Sequence, residues 1–204
     1  MKAVKFGTLL IAFLTIGGGA GLAQNAGNAT EGGPPVLAKD VAHARFGGRL
    51  IVSSPAFASG NDLDDKYTQN GENISPPLTW SKGPSGTRSY VVLTEDAGVN
   101  RHDPVFHWVL YNIPPATTVL HEGMPADATL EDIGAMQGLN VRKTAGFLGP
   151  KPPAGQTHPY HFEVFALNTK LDLDPAKADR NTVLAAMKEH VLAEGDIVAN
   201  YTGK

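Results

Sequence analysis

The chain of 204 residues contains no cysteine, and this absence excludes several kinds of site. Disulfide bonds, thiolate metal ligands, a cysteine nucleophile and a lipid anchor on cysteine all require that side chain. Stability must therefore come from packing. The sequence also lacks the G-x-S-x-G, HExxH, P-loop and G-x-G-x-x-G patterns, so it offers no recognisable serine-hydrolase, zinc-protease or nucleotide site.

A surplus of basic residues is missing as well. The chain carries 17 Lys and Arg against 20 Asp and Glu, and removal of the N-terminal segment considered next leaves 15 against 20. Nucleic-acid binding relies on the opposite balance, because Lys and Arg neutralise the phosphates. We therefore expect no nucleic-acid partner.

The N-terminus has the three parts of a secretory signal peptide. Lys2 and Lys5 flank the start of an apolar run that extends to Ile16, and small residues follow at positions 17–21. The run is shorter than the roughly 20 residues that a membrane span needs, and its glycines disfavour the alternative of an uncleaved anchor helix. We expect residues 1–23 to be removed after Ala23, which leaves no membrane span and places the protein in the periplasm or outside the cell.

The remaining chain divides into a leader and one domain. Residues 24–44 are rich in Gly, Ala, Asn and Pro and offer little apolar surface, a composition typical of a flexible leader. Residues 45–204 are enough for a single domain with its own core.

The hydrophobic pattern of this domain is mainly that of β-strands. Strand-like runs cover Leu50–Ser53, Tyr90–Glu95, Val105–Ile113 and Tyr160–Leu167. The second and third runs are apolar on both faces, which predicts central strands covered on both sides. One helix is predicted, capped by Asp179 or Asn181, running to about Leu192 and stopped by Gly195. We expect a mainly β domain with a C-terminal peripheral helix and long Pro/Gly loops.

Three polar side chains lie at or near the ends of these strands. Asp96 closes one strand, His107 interrupts the most apolar strand, and His158 opens another after a Pro/Gly loop. A carboxylate and two imidazoles beside backbone N–H groups would form an anion pocket. Taken alone, His107 is better explained as a core histidine that hydrogen-bonds a backbone carbonyl.

Strand alternation predicts which residues share a face with each histidine. It places His107 with Val105, Val109 and Tyr111, and His158 with Tyr160, Phe162 and Val164. His161 lies an odd number of residues from His158, so the two rings point to opposite faces and cannot share a metal ion. We predict no metal site and no cofactor.

Three segments resemble the phosphatidylethanolamine-binding protein family, and within it the bacterial Raf-kinase-inhibitor-like branch. They are the block Gly71–Trp80, the block Val105–Pro114 with its His-Trp pair, and the loop Gly149–Gly155 followed by His158 and Tyr160. The resemblance covers roughly residues 45–201. It implies a β-sandwich with a small pocket at one end that accepts a phosphate or similar anion.

The resemblance also implies the residues of that pocket. By this resemblance, the ligand-binding residues are Asp96, His107, Gly149, Pro150, His158 and Tyr160. They correspond to the family's Asp-x-Asp-x-Pro segment, its His-Trp block, its Gly-Pro loop and its later histidine. The resemblance implies no catalytic residue. One carboxylate is missing. Either Asp96 is the first Asp and Gly98 replaces the second, or Asp96 is the second and Thr94 replaces the first. We hypothesise that the lost charge favours anion binding.

The leading functional hypothesis is therefore an exported, non-enzymatic protein that binds a small anion or a phospholipid headgroup. A second hypothesis is an inhibitor or regulator of an envelope protein such as a serine protease, as some relatives inhibit proteases. A third is an enzyme with His107 and His158 as an acid/base pair and Asp96 orienting one of them. A homodimer is compatible with the sequence as well.

Overall fold

Ten strands form two sheets in the computed structural model, which describes Met1 and residues 33–204. The predicted signal peptide beyond Met1 and residues 24–32 of the predicted leader lie outside these residues. The strands are β1 (Gly48–Arg49), β2 (Val52–Ser53), β3 (Leu78–Trp80), β4 (Ser89–Asp96), β5 (Val105–Ile113), β6 (Val119–Leu120), β7 (Thr129–Leu130), β8 (Ala135–Gln137), β9 (Thr157–Leu167) and β10 (Val191–Thr202). The helices are α1 (Ala38–Val41) and α2 (Arg180–Met187), with a 3₁₀ turn at Asp65–Tyr67.

The larger sheet has the strand order β1-β10-β9-β4-β5-β8-β7, and the smaller has the order β2-β3-β6. Their facing side chains form one apolar core, in which Leu78, Trp80 and Leu120 of the small sheet pack against residues of β4, β5 and β9. A second core covers the other face of the large sheet, beneath α1 and α2. The predicted β-sandwich is confirmed, and β4 and β5 are buried on both faces as their sequences indicate.

The C-terminal helix is shorter than predicted. Asp179 caps it, with its side chain accepting from the Thr182 N–H at 3.1 Å, but the helix ends at Met187. Val191 begins the longest strand instead, because a short apolar run fits a strand as well as a helix and only pairing along β9 decides between them. Gly195, predicted to stop the helix, lies within β10.

The beginning of the packed domain also differs from the prediction. Ala38 is fully buried, Leu37 and Ala42 nearly so, and α1 packs on the back face of the large sheet. The boundary predicted at residue 45 is therefore too late, and residues 36–44 are part of the folded domain. Six of these nine residues are Val, Leu or Ala, but the apolar stretch is short and follows Gly-, Asn- and Pro-rich sequence, so local composition does not separate it from the leader.

A β-bulge corrects the predicted face of His107. Thr94 pairs with Trp108 and Glu95 pairs with Phe106, so His107 has no partner on β4 and lies on the same side as Trp108. Val109 and Tyr111, predicted to share a face with His107, pack instead in the core on the opposite side of the sheet, whereas Val105 lines the same cavity as His107. The bulge turns the imidazole into the end of the sandwich, where β9 places His158 and Tyr160.

Candidate functional site

A cavity of about 300 Å³ opens at the end of the sandwich where β4 stops and β9 starts. Four of the six predicted site residues line it: Asp96, His107, His158 and Tyr160. His158, Tyr160, Phe162 and Val164 alternate along one face of β9, as predicted. The predicted convergence of a carboxylate with two imidazoles is thus present in the structure.

Asp96 and His158 form a buried, hydrogen-bonded carboxylate–imidazole pair. The Nδ1 atom of His158 lies 3.0 and 2.9 Å from the two carboxylate oxygens of Asp96, and both side chains are more than nine-tenths buried. The Gly98 N–H also donates to Asp96 Oδ1 at 2.8 Å. These contacts fix the carboxylate, and Nε2 at the other end of the His158 ring lies 3.4 Å from the Gln156 side-chain oxygen.

His107 is held by two reciprocal contacts with one residue. Its Nδ1–H donates to the Leu148 carbonyl at 2.6 Å, and its own carbonyl accepts from the Leu148 N–H at 2.9 Å. Nε2 then carries the free lone pair, and within residues 33–204 it has no hydrogen-bond partner. Burial lowers the pKa of His107, although the Leu148 carbonyl and the Asp96 charge act in the opposite direction.

Tyr160 contributes a second unpaired polar atom to the cavity. Its ring meets that of His107 edge to face, with 5.2 Å between centroids, and its hydroxyl also lacks a hydrogen-bond partner in the described chain. Burial, followed by the negative charge of Asp96, raises the pKa of Tyr160, so the hydroxyl keeps its proton. Buried polar atoms without partners are rare, and a ligand would satisfy both.

Gly149 and Pro150 support the cavity without lining it. The Gly149 N–H donates to the Asn73 side-chain oxygen at 2.7 Å, and its carbonyl accepts from the Gln69 side-chain amide at 2.6 Å. The Gly149 N–H, which was expected to face an anion, therefore already donates to Asn73, and Pro150 has no N–H to donate. A Cβ on Gly149 would lie 2.6 Å from the Tyr67 carbonyl oxygen, so the residue allows close backbone approach.

These contacts explain why the three sequence blocks occur together. Asn73 from the first block fixes the loop of the third at Gly149, and His107 from the second fixes the same loop at Leu148. Asn73 adopts a left-handed conformation with φ of 59°, which Asn tolerates better than most residues. The blocks are far apart in sequence and assemble one wall of the cavity.

Sequence reasoning missed two cations in the cavity wall. Arg142 and Lys151 both line it, and Gln69 hydrogen-bonds Arg142 as well as the Gly149 carbonyl. Both lie in loops whose composition alone does not distinguish a binding residue from a solvated one. The only available signal was the position of Lys151 within the Gly149–Gly155 loop.

Gly98 does more than remove a negative charge. A Cβ at this position would lie 2.3 Å from Cγ of His158, so any side chain there would collide with the imidazole ring. An Asp introduced at Gly98 would therefore displace His158 as well as add charge. Thr94, the other position at which the carboxylate is missing, is buried in the strand and does not line the cavity.

His161 shows that the two neighbouring histidines do point apart. Its Nδ1–H donates to Asp196 of β10 at 2.8 Å, on the side of the sheet away from the cavity.

Among residues 33–204, no group of three or more His, Asp or Glu side chains is placed to hold a metal ion. In the same residues, no helix has the length and apolarity needed to cross a membrane.

The family model for phosphatidylethanolamine-binding protein matches residues 53–202. The chain belongs to this family. A UPF0098 protein of Methanothermobacter thermautotrophicus is 42% identical over 153 residues, which cover 74% of this chain and 98% of that protein. A UPF0098 protein of Aquifex aeolicus is 36% identical over 160 residues, covering 76% of this chain and 90% of that one.

Solved structures of the phosphatidylethanolamine-binding protein family share the fold. YbcL of E. coli, described as a member of the mammalian family, has a TM-score of 0.71 at 31% identity, covering 77% of this chain and all of that one. The homolog CT736 of Chlamydia trachomatis has a TM-score of 0.68 at 32% identity, covering 77% and 99%. The predicted family and its bacterial branch are thereby confirmed.

Proposed function

We propose that this protein binds a small phosphate-bearing anion, such as a phospholipid headgroup, in the cavity beside His107 and His158, without catalysis. The observation that carries the proposal is the pair of unpartnered polar atoms, His107 Nε2 and the Tyr160 hydroxyl, next to the cations Arg142 and Lys151. These two cations outnumber the one carboxylate in the cavity wall, Asp96, so the cavity is able to accept negative charge.

A calorimetric titration tests this proposal with phosphoethanolamine and inorganic phosphate as ligands. His107→Ala removes one proposed ligand contact and the hydrogen bond from the imidazole to the Leu148 carbonyl. We expect the affinity of this variant for phosphoethanolamine to fall at least tenfold. His161→Ala is the matched control, because this ring lies on the other side of the sheet. Equal affinities of the His107 variant and the parent protein would refute the assignment of the site.

A second candidate function is acid/base catalysis, favoured by one specific contact. The Asp96 carboxylate orients His158 through Nδ1, which is the arrangement that prepares an imidazole for proton transfer. In that case the protein would turn over phosphoesters, and turnover would stop in both histidine variants. Incubation of the protein with such esters during the titration would separate the two functions.

We propose that the protein acts in the periplasm or outside the cell, because its N-terminal sequence has the pattern of a signal peptide. The ligands available there include headgroups of the membrane surface. An envelope protein, such as a serine protease, is the alternative partner, and recovery of such a complex from the envelope would support it.

A further inference from the structure

The proton on the imidazole of His107 is fixed by the backbone. The Leu148 carbonyl can only accept, so the Nδ1 atom that lies 2.6 Å from it must carry the hydrogen. The second contact, from the Leu148 N–H to the His107 carbonyl, keeps the two residues in register. A neutral ring in this position presents a lone pair to the cavity.

A lone pair is the wrong partner for a bare anionic oxygen. Two acceptors placed against each other repel, and burial strengthens the repulsion. The contact becomes a hydrogen bond only when one proton lies between the two atoms. An anion that carries its own proton, such as a hydrogen phosphate monoester, supplies it directly. A fully ionised anion requires protonation of the buried ring from solvent, which the burial of the ring opposes.

The other groups that face His107 do not remove this requirement. Asp96 favours a protonated ring and Arg142 disfavours it, while burial is the largest influence and keeps the pKa of His107 low. Tyr160 holds its own proton as a donor. His158 is engaged with Asp96 at Nδ1, and Lys151 completes the cavity wall.

We infer that the cavity binds its anion together with one proton, shared with Nε2 of His107, and so selects protonated phosphate species over fully ionised anions of similar shape. This inference rests on the proposed anion site and specifies the ligand form. A phosphate monoester has its second pKa near 6, so both its monoanion and its dianion exist in neutral solution. Sulfate stays fully ionised there and brings no proton.

The experiment is isothermal calorimetry of the full mature chain with phosphoethanolamine and with sulfate. Titrations at pH 7.5 in two buffers of different ionisation enthalpy give the number of protons taken up. We expect close to one proton per phosphoethanolamine bound and sulfate affinity at least tenfold weaker. Between pH 7 and 8 the phosphoethanolamine affinity should fall about tenfold, as linkage to one proton requires.

A pair of variants assigns the proton to one residue. His107→Gln places an amide near the position of Nε2, which can donate to an ionised oxygen, so proton uptake and the discrimination against sulfate should both disappear. His161→Gln, the same replacement on the opposite side of the sheet, should keep both. Proton uptake that persists in His107→Gln would point to His158 and overturn the inference.

A direct measurement keeps the test independent of any variant. Nitrogen chemical shifts of the imidazole in the free protein at pH 7 should show His107 neutral with its hydrogen on Nδ1; a charged ring would overturn the inference. Equal affinities for sulfate and phosphoethanolamine, without proton uptake, would also overturn this inference, although the proposed anion site would stand. Absence of binding by either anion would refute the proposed function itself.

Discussion

At the scale of single residues, the candidate site depends on close contacts around two imidazoles. Asp96 and the missing side chain of Gly98 position His158, and Leu148 positions His107. Each histidine thus has its Nδ1 atom fixed by the protein, and Nε2 of His107 has no hydrogen-bond partner within residues 33–204. His107 combines the two roles considered for it, a backbone-bonded core histidine and a cavity residue.

Gly98→Ala should disrupt the site through His158. Its new methyl group would lie 2.3 Å from the ring carbon, so the ring must move and its hydrogen bonds with Asp96 must weaken. We expect at least a tenfold loss of phosphoethanolamine affinity and destabilisation of about 1–3 kcal/mol, as in other overpacked sites. Titration calorimetry and urea unfolding measure the two effects.

The control for this substitution is Gly33→Ala. A Cβ at residue 33 meets no atom within 4 Å, so the same chemical change should leave affinity unaltered. If Gly98→Ala bound the ligand as tightly as the parent protein, the close approach of Gly98 and His158 would be irrelevant to the site.

At the scale of secondary-structure elements, a network of buried polar side chains attaches α1 to the back of the large sheet. Glu95 accepts from the Ala38 N–H at 2.7 Å and pairs with Arg180 of α2, while Glu163 accepts from the Lys39 N–H at 3.1 Å. The second oxygen of Glu163 has no partner within residues 33–204. Burial, and then the charge of Glu95, raises the pKa of Glu163 well above its ordinary value.

Glu163→Gln should change how stability depends on pH. Because the folded-state pKa is raised, the stabilising contribution of Glu163 is complete below the unfolded pKa of about 4.3 and is lost as the pH rises toward the folded value. A neutral amide avoids this loss, about 1.4 kcal/mol per unit of raised pKa. We expect the variant to gain stability relative to the parent between pH 5 and 8, as measured by urea unfolding.

Asp196→Asn provides a comparison of opposite sign. The hydrogen bond from His161 is the largest cause that lowers the pKa of this half-buried carboxyl, to about 2, so its contribution is present above the unfolded pKa and lost in acid. This variant should be less stable than the parent at pH 8. If Glu163→Gln were also less stable than the parent at pH 8, this result would contradict the assignment of a protonated carboxyl at residue 163.

At the scale of the whole molecule, the folded unit begins before the region shared with the family. The family model matches from residue 53, whereas Leu37 and Ala38 are already buried on the back face. This segment also touches the loop above the cavity, since the Val36 N–H donates to the His102 carbonyl at 2.9 Å. The N-terminal segment therefore links the pocket loop to α2, where Arg180 donates to the Val36 carbonyl at 2.7 Å.

Removal of this segment should destabilise the protein. A chain that begins at Arg45 loses three buried apolar residues and leaves Glu95 and Glu163 without their backbone donors, and we expect a loss of roughly 2–5 kcal/mol. A chain that begins at Gln24, the predicted mature N-terminus, is the reference. Equal free energies of unfolding in urea would show that residues 36–44 contribute no net stability.

The sequence alone determined the family, the mainly β class, the central strands and four residues that meet in the cavity, because local composition and three distinctive blocks carry that information. The tertiary structure decided the rest. Pairing with β9 made Val191 the start of a strand, a bulge turned His107 to the cavity, and distant backbone contacts used the Gly149 N–H and left Nε2 of His107 unpaired. These features depend on contacts between residues far apart in the chain, which local sequence patterns do not encode.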